Sequence, residues 1–417
     1  WAGFLYLRTD QAPKGIPLLE KAVSKRPEDL EVINNLGNAY LAVGDLAKAE
    51  ARYVQAIKLD PKLAEAHYNL GTIRLQNKKF TEAAASFTRA SSLKPNDAFA
   101  FNNLGVALEG AKQFSQASTA FARASDLRPE HPLFSKNAGF AALRMNDLGT
   151  GLLYLMRARK ANKDDPDVAF ALGESLVKAG RWKEAKDIYE SAQALLQERS
   201  AFWFNLGVVR GKLGSVDGAV KAYERALAID PEDLDSLNNL GLIQFSKGQY
   251  GEASSTFSKL SGLNPTSVTA RLNLAACYSN LGDDEKAVAQ WQSVLEAEPA
   301  RIGVRLDLAN ALWRLQRVEE AGAQYKIILR SNPGSAAANN GYGLVLLKSN
   351  KTKESELYFR NAIRANPKFA GAYNNLAVAL ERLGRRSEAV KTLEDGLKAD
   401  PNNLELRQNL QRMRAGS

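Results

Sequence analysis

Sulfur and imidazole are almost missing from this sequence. One cysteine, Cys277, and two histidines, His67 and His131, stand among 417 residues. A single thiol excludes a disulfide framework and a thiolate metal cluster. Two well-separated histidines leave little for acid–base chemistry. Cys277 falls on a helix face expected to be buried, where a free cysteine acts as a small hydrophobe. No run of eighteen apolar residues occurs, so no membrane span is expected. A glycine-rich phosphate loop, a nucleophile–base pair and a metal-ligand spacing are also lacking. The expectation is therefore a protein that is not an enzyme and holds no cofactor or metal.

The opening WAGFLYLR is apolar but has neither a basic n-region nor a small-residue cleavage site. The chain starts at Trp1 and not at Met, so it is expected to be the remainder of a longer product. Any export signal or anchor would then lie upstream, and the compartment stays open. A net charge of +10 over so long a chain implies a weak preference for acidic partners.

What the sequence has in abundance is periodicity. Gly3, Gly37, Gly71, Gly105, Gly139, Gly173, Gly207, Gly241 and Gly343 are spaced by 34 residues or a multiple of it, with Ala275, Ala309 and Ala377 in the skipped places. Twelve residues on, a second small column runs Gly15, Ala49, Ala83, Ala117, Gly151, Ala185 and onward. Ten of the fourteen prolines form a third column, from Pro27 to Pro401, which marks the end of each unit. Within a unit, apolar residues recur at helical spacing in two stretches, as in LEVINNLGNAYLAVGDLAKAEARYVQAIKLDP from Leu30 to Pro61. Small residues let two helices approach, Leu36 and its counterparts fill the space beside them, and proline ends the second helix. One such pair cannot bury its apolar face alone and must stack on its neighbours.

This pattern resembles the tetratricopeptide repeat family, with its thirty-four residues, Leu-Gly, Tyr, Ala, aromatic, Ala and Pro at set places. The resemblance implies an all-α fold, a right-handed α-solenoid (superhelix) of tandem helix–turn–helix units. A truncated unit is expected over 1–29. Eleven complete units are expected over 30–403, starting near Leu30, Ala64, Ala98, Pro132, Pro166, Ser200, Leu234, Val268, Ile302, Ala336 and Ala370. A single capping helix is expected within 404–417. Pro13 and Pro17 are expected to shorten the second helix of the truncated unit. The fourth and fifth units have Lys163 and Gln197 in place of the closing proline, so the least regular stretch is expected near 145–205. There the helix runs long or the turn is reshaped.

In a tetratricopeptide superhelix the first helix of each pair lines the concave groove. The resemblance places on it Asn35, Asn69, Asn103, Asn137, Asn205, Asn239, Asn273, Asn375 and Asn409, interrupted by Ala171, Asp307 and Gly341. Asparagine costs several tenths of a kcal/mol against alanine inside a helix, so nine at one phase need a reason. An amide offers a donor and an acceptor, and a row of them can clamp an extended peptide backbone. This resembles the asparagine ladder in the repeat domain of O-linked N-acetylglucosamine transferases. The alternative is that each asparagine bonds within its own repeat or to the helix before it.

Phe99, Leu133, Phe140, Phe170 and Phe204 stand at expected groove positions around the gap at Ala171. Arg144, Lys178, Lys212, Arg314, Lys348 and Arg382 form a basic column beside them. An apolar strip with basic rungs suits an extended, partly acidic segment. The competing readings are core aromatics, and solvated cations at helix ends favoured by the helix dipole. A carboxylate clamp is incomplete, because Phe140 stands where an asparagine is needed beside Lys136. Nucleic acid is disfavoured, since Glu109, Glu174 and Asp307 interrupt the basic face. The expected function is a protein-binding scaffold. The rivals are the substrate-recognition half of a glycosyltransferase whose catalytic domain lies outside the chain, and a structural subunit of a larger assembly. The latter would dock through its convex side or the apolar LLYLM run at Leu152–Met156.

Overall fold

The computed structural model describes residues 11–415, in which twenty-five helices and no strand occur. Gly3, Trp1 and the rest of 1–10 lie outside the described residues. The first helices of the pairs begin at Leu30, Ala64, Ala98, Pro132, Pro166, Ser200, Leu234, Val268, Ile302, Ala336 and Ala370, each thirteen residues long. Their partners are fourteen-residue helices such as Leu46–Leu59 and Arg386–Ala399, except for the ten-residue Trp182–Ser191, and Leu404–Ala415 follows alone. None of these helices is long and apolar enough to cross a membrane, among the described residues. The chain divides at Ala219/Val220 into two compact bodies, each a stack of helix pairs with its own buried clusters.

Local chemistry explains the boundaries. Asp29, Asp97, Asp165 and Asp233 cap first helices by accepting backbone N–H groups two or three residues on, and Ser267 and Ser335 do so through their hydroxyls. Between the two helices of each pair the backbone passes through the left-handed region. Glycine occupies that place at Gly44, Gly180, Gly214, Gly248, Gly282 and Gly384, but Lys78, Lys112, Asn146, Gln316 and Asn350 adopt it too. After the second helix, a polar side chain on the next helix reaches back six residues to a main-chain carbonyl of the turn. His67 meets Pro61 (3.1 Å), Arg305 meets Pro299 (2.8 Å), Asn339 meets Pro333 (2.8 Å), Tyr373 meets Pro367 (3.1 Å) and Arg407 meets Pro401 (2.8 Å). These bonds satisfy carbonyls that the proline turn leaves open.

The glycine column packs against rings. A Cβ on Gly37 would lie 2.8 Å from the Tyr53 ring, on Gly71 2.9 Å from Phe87, on Gly105 2.6 Å from Phe121, and on Gly241 2.8 Å from Phe257. Each ring is fully buried, and burying a ring of that size stabilises by about 2–3 kcal/mol. Small residues thus make room for the aromatic sixteen positions on, more than for a bare helix contact.

Two expectations need revision. The helix Ala12–Lys25 keeps all fourteen residues despite its prolines. Pro13 sits in the first turn, where the N–H has no helical partner, and Pro17 forfeits a single bond just beyond. The irregular stretch is also narrower than 145–205. The fourth pair is normal, with Leu148–Ala161 as its second helix. In the fifth, the second helix stops early at Ser191, and a one-turn helix, Gln193–Leu196, follows a kink at Ala192.

Candidate functional site

Every asparagine of the expected ladder is half-buried on a first helix. The structure shows how their amides are oriented. Asn69 donates through Nδ2 to Asn38 Oδ1 at 3.0 Å, Asn103 to the Tyr68 hydroxyl at 2.9 Å, Asn137 to Asn102 Oδ1 at 2.8 Å and Asn375 to Asn340 Oδ1 at 2.9 Å. Asn409 donates to Asn374, and Asn239 to the Tyr223 hydroxyl at 3.3 Å. Asn205 faces the Tyr189 hydroxyl without closing a hydrogen bond to it. Asn35 and Asn273 have no side-chain hydrogen bond among the described residues. At six of the nine rungs the donor edge of the ladder thus braces a repeat against the one before.

The acceptor edge differs from rung to rung. Oδ1 of Asn103 and of Asn239 takes a long bond from the preceding asparagine, Asn102 at 3.3 Å and Asn238 at 3.4 Å. Oδ1 of Asn69, Asn137 and Asn375 receives none among the described residues. The orientation is fixed from behind. Tyr53 donates its hydroxyl to Asn38 Oδ1 at 2.6 Å, and Tyr325 does the same to Asn310 at 2.7 Å. Burial pushes both phenols up, Tyr325 to about 12, so each stays a donor at neutral pH.

The interruptions have physical reasons. A Cβ on Gly341 would lie 2.4 Å from the Tyr325 ring, which fills the place of an amide there. Asp307 is open to solvent by surface area, yet surrounding atoms crowd its carboxyl. That loss of hydration pushes it up against the opposing pull of Arg314.

The apolar residues divide. Leu133 is 48% exposed and Phe140 37%. Phe99 is exposed but rests edge-on against the buried Phe134 at 5.1 Å, under the Arg128 guanidinium. Phe170 is half-buried beneath Arg199, and Phe204 is half-buried. The basic column divides as well. Arg144 pairs with Glu109 at 3.0 Å, Arg314 is held by both oxygens of Asp284, Lys348 reaches Gln316 at 2.5 Å and Arg382 reaches the Leu347 carbonyl at 3.3 Å. Lys178 and Lys212 are exposed, with no ion pair among the described residues. Lys136 is engaged by Asp165 at 2.8 Å and Asp167 at 3.3 Å. Cys277 is buried, and burial pushes its thiol up to about 11. No group of acidic, histidine or cysteine side chains suited to a metal occurs among the described residues.

Sequence reasoning missed the residues that orient the ladder: Asn38, Asn102, Asn340, Asn374, Tyr53 and Tyr68. A signal was present in the doublets Asn102-Asn103, Asn238-Asn239 and Asn374-Asn375. One helical step apart, the second asparagine reaches back to a neighbouring repeat, and in the first and third doublets the first asparagine receives from the repeat that follows.

The sequence matches no curated protein. Solved structures of similar architecture include a chain of Naa15/Naa10 bound to HypK-THB, at 17% identity over 99% of this chain and 65% of that one, with a TM-score of 0.45. Yeast Tom70 aligns at 16% identity over 100% and 94% of the two chains, with a TM-score of 0.37. YrrB, a TPR protein with an unusual peptide-binding site, aligns at 20% identity over 53% and 96%, with a TM-score of 0.33. Tetratricopeptide repeat models match residues 34–98, 136–195 and 306–360, then 186–332, then 346–413. Together they span most of the sequence. The chain belongs to the tetratricopeptide repeat family.

Proposed function

We propose that the chain is a non-catalytic scaffold whose first-helix asparagines hold an extended polypeptide segment by its backbone. The observation that carries this reading is the division of labour within three of the amides. Nδ2 of Asn69, Asn137 and Asn375 is spent on the preceding repeat, while Oδ1 of the same three receives no hydrogen bond among the described residues. A half-buried acceptor without a partner is unfavourable by about 1–3 kcal/mol when water is excluded. A peptide N–H can supply what it lacks. The ladder so oriented reads backbone donors, a narrower role than a clamp offering both donor and acceptor. Exposed Leu133 and Phe140 add apolar contacts, and Lys178 and Lys212 favour acidic side chains in the bound segment.

The test uses binders selected from a random library of displayed peptides. Asn69→Ala with Asn137→Ala should weaken the selected peptide at least tenfold, with helicity by circular dichroism unchanged. Affinity unaltered in that pair of substitutions would overturn the reading.

A further inference from the structure

Where the fifth pair breaks, the first body carries a second candidate site, made mainly by second helices, the turn at Lys163-Asp164 and the one-turn helix, with Leu172 alone from a first helix. The early stop at Ser191 and the kink at Ala192 turn Leu195 toward the end of the preceding second helix, Leu148–Ala161. Between them lies a recess of about 700 Å³ whose lining includes Met156, Arg159, Lys163, Ile188, Ser191 and Leu195. Leu153, one turn before Met156, is 52% exposed, and Met156 and Leu195 are exposed beside it. In the neighbouring repeats the counterparts of Met156 are Ala122 and Glu190, so the apolar wall is local to this place. It absorbs the LLYLM run that core packing alone does not explain: Leu152 and Leu155 are buried, and Leu153 and Met156 are not.

The charge around that wall is one-sided. Arg159, Lys160 and Lys163 line it against one acid, Asp164. Lys160 and Lys163 make no ion pair among the described residues. Arg159 is half-buried. Among the described residues its Nη1 is buried without an acceptor, and its Nη2 has only the Ser191 hydroxyl at 3.5 Å, the outer limit of a hydrogen bond. Arginines close by are satisfied: Arg157 by Asp126 at 2.7 Å, Arg181 by Glu184 at 2.6 Å. A guanidinium removed from water and left short of acceptors is matched best by a carboxylate, which takes two parallel N–H bonds.

The geometry points to a docking site here for an acidic amphipathic segment of a partner protein. Its aliphatic side chains enter beside Met156 and Leu195, and a carboxylate on the same face meets Arg159. The site stands independently of the backbone-reading ladder. The aliphatic wall sets the occupant apart from nucleic acid, which would want stacking aromatics among the cations.

The experiment uses the full chain and a fluorescent fifteen-residue helical peptide of leucine and glutamate, with its lysine–leucine twin as control, read by anisotropy. The expected result is saturable binding of the glutamate peptide alone. Arg159→Met with Lys163→Glu should weaken it at least tenfold, and so should Met156→Glu, an exposed position at which the fold is retained. Asn69→Ala with Asn137→Ala, and Lys178→Glu with Lys212→Glu, should leave it unchanged. Lack of saturable binding would overturn the proposal, as would equal binding of the lysine peptide. So would sensitivity to the Lys178/Lys212 pair, which would mean binding beside the ladder or attraction to net charge. Retention of dodecanoate with no peptide binding would reassign the recess to a small fatty anion and also overturn it.

Discussion

The fourth and fifth repeats both lack the closing proline, yet only the fifth breaks. In the fourth, Asn162 is extended and accepts the Asp164 N–H at 3.0 Å, and Asp165 accepts those of Asp167 at 3.0 Å and Val168 at 3.1 Å, with Pro166 opening the next helix. In the fifth, the residue before the next helix is Arg199, which caps nothing. The turn is held instead by Trp203 Nε1 donating to the Gln197 carbonyl at 2.8 Å. The difference teaches that where the closing proline is missing, acidic and amide caps decide whether the repeat still ends in register; Leu63, His131, Arg301 and Phe369 cap nothing, and there the proline is present. The proline column records such boundaries and stiffens them.

The strongest way to sharpen this comparison is through the glycine column. A Cβ at Gly173 would lie 2.2 Å from the Tyr189 ring, in the fifth repeat. In the fourth, a Cβ at Gly139 would meet the flexible Leu155 side chain at 2.8 Å. Gly173→Ala should cost about 3 kcal/mol and Gly139→Ala about 1–2 kcal/mol, read by urea unfolding. Equal costs would mean that the broken repeat relaxes as readily as the intact one.

Proline placement comes next. Leu196 is helical and precedes Gln197, so Gln197→Pro should lose on the order of 1–3 kcal/mol and the one-turn helix with it. Asn162 already has the extended backbone that a following proline demands, with φ −142° and ψ 108°. Lys163→Pro should therefore be neutral or gain up to about 1 kcal/mol. A loss at Lys163 as large as at Gln197 would contradict the view that caps and not proline set the fourth boundary.

Asp165→Ala removes the cap directly and should cost about 1–2 kcal/mol at neutral pH. Burial alone would raise this carboxyl, but hydrogen bonds from Lys136 and from the Val168 backbone hold it below the usual range. Its stabilisation is therefore complete above the ordinary carboxylate value and is lost as pH falls through the lower folded one. The cost of Asp165→Ala should shrink below about pH 4, read from thermal melts across pH.

The smallest effect has the opposite sign. Asp307 stands where other repeats carry a ladder asparagine, and its carboxyl is pushed up mainly by loss of hydration. An acid raised on folding destabilises progressively as pH climbs from its unfolded value through its folded one. Asp307→Asn should raise the melting temperature slightly at pH 7 and leave it unchanged at pH 3. A fall at pH 7 would show that the Arg314 attraction outweighs dehydration.

Much of the fold was legible because its determinants are local and repeated. The spacing of Leu36, Gly37 and Tyr53 with their counterparts carries the helix pairs, and each has neighbours within about one unit. What escaped had one of two causes. The left-handed turn position was hidden because Lys78, Lys112 and Gln316 share it with the glycines, so no single residue type marks the column. The use of most bonded ladder amides was hidden because it depends on a side chain thirty-one to thirty-five residues away, as Asn38 is for Asn69 and Asn102 for Asn137. Periodicity identifies the column, but only packing decides which edge of an amide remains for a ligand. The basic column illustrates the same limit. Its phase is regular, yet Asp284 and Glu109 occupy Arg314 and Arg144, leaving Lys178 and Lys212.

The central claim is that acceptor edges of the ladder hold a peptide by its main chain, and backbone chemistry tests it most directly. The tightest library-selected peptide should be compared, by calorimetry on the full chain, with a version N-methylated at alternate residues and with a version carrying alanine at the same residues. N-methylation deletes N–H donors without touching side chains. At least a tenfold loss on N-methylation, with a much smaller loss for alanine, is the predicted result. Unchanged affinity on N-methylation in both alternate phases, with the loss falling on the alanine version, would contradict the account.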